Sequence, residues 1–145
     1  MLNDESDSSK RRLRNSVHLL LSLFQVAAVS WALLTPDPFA LVRDTPLDWV
    51  QSASDLLLHA IVFTALSVTV FSLCLAVFGE YPSAAVFGML GYCVTVEGLQ
   101  AFVPGRTSDP RDAIANIAGF VLGLSVVRVL SLLRPKREKS AVRNQ

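Results

Sequence analysis

The sequence predicts an all-α fold, an integral membrane four-helix bundle with both termini in the cytoplasm. Apolar residues make up 52% of the 145 residues and charged residues only 17%, a balance far from that of a soluble domain. The apolar residues gather into four runs, over about 17–34, 55–78, 83–102 and 113–133, each near the ~20 residues that a helix needs to cross a hydrocarbon core. Nine of the thirteen Lys and Arg residues lie before the first run or after the last, flanks that the positive-inside rule assigns to the cytoplasm. Tails on one side require an even number of spans, and four runs are present.

Residues 1–14 are rich in Ser, Asp, Lys and Arg and end in the basic cluster Lys10, Arg11, Arg12 and Arg14, the composition of a disordered tail. The membrane domain is expected over 15–134. Its first span, from Val17 to Leu34, is interrupted only by His18, Ser22, Gln25 and Ser30. A basic stretch before an apolar run is also the pattern of a secretory signal. Here the run exceeds the usual signal core of about 7–15 residues, Trp31 stands at its outer end as an interfacial anchor, and no A-x-A site precedes Thr35, so an uncleaved span is expected.

Pro36, Pro38 and Pro46 mark the following segment as a loop, with an amphipathic stretch at Leu47 to Val50 suited to the membrane interface. Ser54 or Asp55 can cap the second span, which Gly79, Glu80, Tyr81 and Pro82 close before the third begins at Ser83. So short a turn makes these two helices antiparallel neighbours. Pro104, Gly105 and Pro110 interrupt the chain again, and the fourth span starts near Asp112. Arg128 near its end joins Arg134, Lys136, Arg137 and Lys139 on the cytoplasmic side, and 135–145 form a basic tail. That tail suits anionic lipid headgroups, although topology explains it equally well.

A formal charge of +1 gives no support to nucleic acid as a partner. Cys74 and Cys93 sit inside apolar runs and read as small buried or lipid-facing residues rather than as a disulfide or a zinc motif.

Polar residues within spans are costly and therefore candidates for function. Asp55 and His59 lie at the outer end of the second span, Glu97 and Gln100 at that of the third, Asp112 and Asn116 at that of the fourth. Spacings of three or four put each pair on one helix face. At about 1.5 Å per residue, His59 lies roughly 6 Å below Asp55, Glu97 roughly 8 Å below Phe102 and Asn116 roughly 6 Å below Asp112, so all three share a depth. The expectation is an outward-open polar layer with Arg106 at its mouth. Gly119 and Gly123 continue the Asn116 stripe with the small-xxx-small spacing of close helix packing.

These pieces in order, D-x-x-x-H, E-x-x-Q-x-x-x-P-G-R and D-x-x-x-N-x-x-G-x-x-x-G, resemble the VanZ-like membrane proteins. They are here Asp55 and His59; Glu97, Gln100, Pro104, Gly105 and Arg106; Asp112, Asn116, Gly119 and Gly123. Leu56 and Ala60 stand where that family often has Lys and an aromatic residue, so a role that needs the Lys is absent. The resemblance implies a multi-pass protein of the cell membrane, near cell-envelope chemistry and linked through the family's name to resistance against a glycopeptide antibiotic.

Three classes of function follow. In the first, the chain acts on or binds an envelope lipid or a lipid-linked wall precursor, with a glycopeptide-related ligand as a further partner. His59, Glu97 and Asp112 then carry acid/base chemistry, because imidazole titrates near neutrality and carboxylates can orient it or donate a proton. Asp55, Gln100, Arg106 and Asn116 line the ligand, Arg106 meeting a phosphate or carboxylate. In the second, the polar cluster belongs to a noncatalytic scaffold or binding protein and only fixes helix register. A small transporter ranks third, since the ionisable groups lie near one face rather than at the midplane. One His and two carboxylates on three helices can ligate a cation, but a hydrogen-bonded network has the same spacing, so no metal and no cofactor is assigned.

Overall fold

The computed structural model describes residues 2–40 and 42–133. Four α-helices run in the order α1 (Leu2–Leu34), α2 (Asp55–Phe78), α3 (Ser83–Gln100) and α4 (Pro110–Leu133), with no strand among the described residues. The expected tail over 135–145 lies outside them.

The N-terminal segment departs from expectation. Residues 2–14, read as a disordered tail, are the opening turns of α1. The stretch Leu2–Leu34 contains neither Pro nor Gly, and acidic residues lie near its start, the end of a helix that favours negative charge. A polar composition argued against burial there, but nothing in it stops a helix already supported by the apolar turns that follow.

Local chemistry sets the remaining boundaries. Gly79 adopts φ +75° and returns its N–H to the Leu75 carbonyl, a left-handed cap that glycine reaches without steric cost. The turn through Pro82 then starts α3. Between α1 and α2 the expected amphipathic stretch is a short 3-10 helix over Asp48–Ser52, with Trp49 exposed within it and Leu47 exposed just before it. α4 starts at Pro110, two residues before the expected Asp112, because proline is tolerated in the first helical turn, where an N–H has no partner to lose. Asp109 caps it, its Oδ1 accepting the Arg111 N–H at 2.9 Å.

α1, α2 and α4 are long and apolar enough to cross a membrane; α3 is not among those helices. Its 18 residues include Glu97 and Gln100, and the same two side chains that mark its polar end lower its apolar character. Both are buried against the other helices. α2 and α4 form the most extensive pair. A Cβ built on Gly119 would lie 2.3 Å from the Ala60 carbonyl oxygen, and one on Gly123 would lie 2.6 Å from the Thr64 oxygen, so these glycines set how closely the two backbones approach, as their spacing predicts.

Phe63, Leu66, Phe71, Met89, Cys93, Val96, Phe120 and Val127 form the core. Phe71 meets Phe120 with ring centroids 5.9 Å apart and Tyr81 at 6.0 Å. α1 joins through its C-terminal part, where Val29, Leu33 and Leu34 pack on this cluster and the Ser30 and Tyr92 hydroxyls lie 2.8 Å apart. Leu20 and Phe24, by contrast, stand exposed on its outer face, where acyl chains are their natural solvent.

A buried polar cluster at one end of the bundle

The end of α1, the start of α2, the end of α3 and the start of α4 meet at one end of the bundle, and the polar residues singled out in the sequence converge there. Asn116 is wholly buried at the centre. Its Nδ2 donates to the Cys93 carbonyl on α3 at 3.1 Å, which turns Oδ1 toward α2 and His59 Nδ1 at 2.8 Å. A carbonyl oxygen can only accept, so Nδ1 donates in this hydrogen bond and Nε2 is left on the opposite edge of the ring. Asn116 was expected to line a ligand; the structure engages it as the residue that positions His59.

His59 Nε2 faces Asp112, with Oδ2 3.9 Å away. Glu97 is 3% exposed. Its Oε1 accepts the Asp109 N–H at 2.8 Å, while its Oε2 is buried without a hydrogen-bond partner. One ligating atom each of His59, Glu97 and Asp112 lies within 4.8 Å of the other two, so the three side chains proposed for chemistry do share one site.

Two of the expected ligand-binding residues hold the helices together. Gln100 Nε2 donates to the Leu33 carbonyl at 3.0 Å. Arg106 reaches the Thr35 carbonyl through Nε and the Ala32 carbonyl through Nη2, both at 3.2 Å. These carbonyls belong to the end of α1, where no further turn can bond them. The loop after α3 therefore caps α1. An Arg106→Ala variant is expected to lose about 1–3 kcal/mol of stability, with hydrogen exchange rising first at the end of α1; unchanged exchange there would remove this capping role.

Two pockets adjoin the cluster. A polar one of about 380 Å³ is lined by Asp55, His59, Arg106, Arg111 and Asp112 among others. An apolar one of about 210 Å³ is lined by Leu33, Phe39, Val42, Val50, Leu58 and Val62 beside Asp55, His59 and Arg106. Those last three residues form the shared wall. A further cavity of about 530 Å³ at the opposite end, near Arg14, His18 and Ser72, has no carboxylate among its lining residues.

Asp109 escaped the sequence reading. The D-P step ahead of α4 signals a helix cap, but nothing in the residue order shows that its backbone N–H meets Glu97.

A helical bundle with three helices long and apolar enough to cross a membrane and an ionisable cluster buried at one end defines the class of multi-pass membrane proteins. The chain belongs to the VanZ/LLP1 family, whose model matches residues 3–131. No curated protein and no solved structure matches it.

Proposed function

We propose that this protein binds the head end of an envelope lipid or of a lipid-linked wall precursor at the polar end of its bundle, and that this end faces away from the cytoplasm. The supporting observation is the pair of pockets that share Asp55, His59 and Arg106, one polar and one apolar. An amphipathic molecule fills both at once, its chain beside Leu58 and Val42 and its headgroup beside Arg106 and Arg111. Guanidiniums suit a phosphate, and Asp55, Asp109 and Asp112 around the same pocket accept from hydroxyl or amine groups on such a head. His59 and Asp112, which line the polar pocket, then lie where acid/base chemistry on the headgroup can occur, with Glu97 buried beside them. Interference with a glycopeptide directed at the cell wall is a consequence that binding such a precursor can have.

A photoreactive polyprenyl phosphate added to the purified protein tests this reading. Crosslinks are expected at Val42, Val50 and Leu58, and Leu58→Trp, which fills the apolar pocket, is expected to reduce them at least fivefold. Uniform labelling of the apolar exterior, unaffected by Leu58→Trp, would overturn it. Glu97→Gln keeps an acceptor for the Asp109 N–H and is expected to change stability by less than about 1 kcal/mol while altering headgroup binding.

A purely structural cluster is the second reading, favoured by Gln100, Arg106 and Asn116, all of which bond neighbouring helices. It predicts the opposite for Glu97→Gln, a loss of stability with unchanged ligand binding.

Orientation is testable separately. With Cys74 and Cys93 replaced, a single cysteine at Ser108 is expected to label from outside intact cells and one at Glu80, in the turn at the other end, is not. The reverse pattern would put the polar end in the cytoplasm.

A further inference from the structure

We propose that His59, Glu97 and Asp112 ligate one divalent first-row transition-metal ion. This inference stands on the three side chains and their partners, independently of the lipid reading, and it departs from the sequence expectation of no metal.

A hydrogen-bonded network and a metal site share the same residue types, and the geometry separates them. In a network each facing pair needs a proton between its atoms at hydrogen-bond distance. Because Asn116 Oδ1 accepts from His59 Nδ1, Nε2 is the ring atom turned to the Asp112 carboxylate, and 3.9 Å is too long for a hydrogen bond. No direct hydrogen bond closes this pair. Ligands about 2.1 Å from one ion lie about 3.4 Å apart in a tetrahedron and about 4.2 Å apart when opposite, so three atoms within 4.8 Å of one another reach an ion after a small inward turn of their side chains.

Glu97 supplies the independent observation. Its Oε1 is fixed by the Asp109 N–H, and its Oε2 is buried with no donor, an arrangement that costs free energy unless something positive meets it. Among the described residues no Lys or Arg nitrogen comes within 4.0 Å of Glu97 or Asp112. Arg106, the nearest cation in sequence to this end of α3, bonds the α1 carbonyls instead. The Glu97 and Asp112 carboxylates together supply the negative charge that a divalent ion balances.

The surroundings match what metal ligands need. A ligating histidine commonly donates its other N–H to an oxygen that fixes its tautomer and ring, and a ligating carboxylate is itself hydrogen-bonded; Asn116 Oδ1 and the Asp109 N–H meet these needs. A nitrogen with two carboxylate oxygens suits Zn²⁺ or Mn²⁺ better than Mg²⁺ or Ca²⁺, which favour all-oxygen shells. Three protein ligands leave a coordination position free, and His59 and Asp112 line the polar pocket from which water or an anionic oxygen can reach it.

The test uses the full chain purified in detergent, stripped with EDTA and dialysed against Zn²⁺ or Mn²⁺ in turn, with bound metal measured by elemental analysis and affinity by chelator competition. One ion per chain is expected. Glu97→Gln and Asp112→Asn, which keep side-chain size, and His59→Ala are each expected to weaken binding at least tenfold, while Asp48→Asn, exposed and outside the cluster, leaves it unchanged. A readout on the unaltered protein guards against variants that fail to fold: pulsed electron paramagnetic resonance of bound Mn²⁺ is expected to show coupling to an imidazole nitrogen. No stoichiometric ion, several weak ions insensitive to the three substitutions, or Mn²⁺ without nitrogen coupling would each overturn the proposal.

Discussion

Replacing Gly119 with alanine is expected to destabilise the protein by about 1–3 kcal/mol or more and to disturb the polar cluster along with the fold. The added Cβ would lie 2.3 Å from the Ala60 oxygen and 3.1 Å from the Ala60 Cα and carbonyl carbon. All three are backbone atoms, so no side chain can turn aside and α2 must move away from α4. Ala60 follows His59 in α2, and Gly119 lies one turn beyond Asn116 in α4. The separation therefore pulls on the 2.8 Å bond between His59 and Asn116.

Gly88→Ala and Gly91→Ala provide the contrast. A Cβ at either position meets nothing within 4 Å, and helix propensity favours alanine by about 0.8–1.0 kcal/mol, so both are expected to be neutral or stabilising. Unfolding in detergent decides the matter. Equal responses at Gly119, Gly88 and Gly91 would show that α2 and α4 do not depend on this close approach.

The second large effect is expected from Asn116→Ala. The substitution empties a fully buried position, breaks the bond to the Cys93 carbonyl and leaves His59 Nδ1–H without its acceptor. The unpaired group and the cavity together are expected to cost about 2–4 kcal/mol. Nitrogen-15 NMR of labelled histidine gives a readout that general destabilisation does not mimic. In the unaltered protein neutral His59 is expected as the Nδ1–H tautomer; in Asn116→Ala the tautomers should mix, because the oxygen that selects one of them is gone. An unchanged tautomer would mean that Asn116 does not orient His59.

Several features of the fold and the site were legible in the residue order. Glycine and proline punctuate the chain at Gly79, Pro82, Pro104 and Pro110, so the turns between α2, α3 and α4 follow from local sterics. Intervals of three and four residues put Asp55 with His59, Glu97 with Gln100 and Asp112 with Asn116 before any packing is known. The spacing of Gly119 and Gly123 likewise predicted a close contact, though not that α2 is the partner. The N-terminal segment was misread because polar composition argues against burial, whereas helix continuation from Val17 back to Leu2 needs only the absence of a breaker.

By itself, then, the sequence determined an all-helical chain suited to a membrane and the gathering of Asp55, His59, Glu97, Gln100, Asp112 and Asn116 at one end, because periodicity and hydropathy are properties of the chain taken one segment at a time. Tertiary structure alone decided what each polar group meets: Arg106 and Gln100 turn to the α1 carbonyls, Asn116 fixes the His59 proton, and the Asp109 N–H takes one oxygen of Glu97 and leaves the other free. The reason is that most of these partners are backbone groups at or near helix ends, identical in chemistry at every residue, whose availability depends on where the packed helices stop and which neighbour they face.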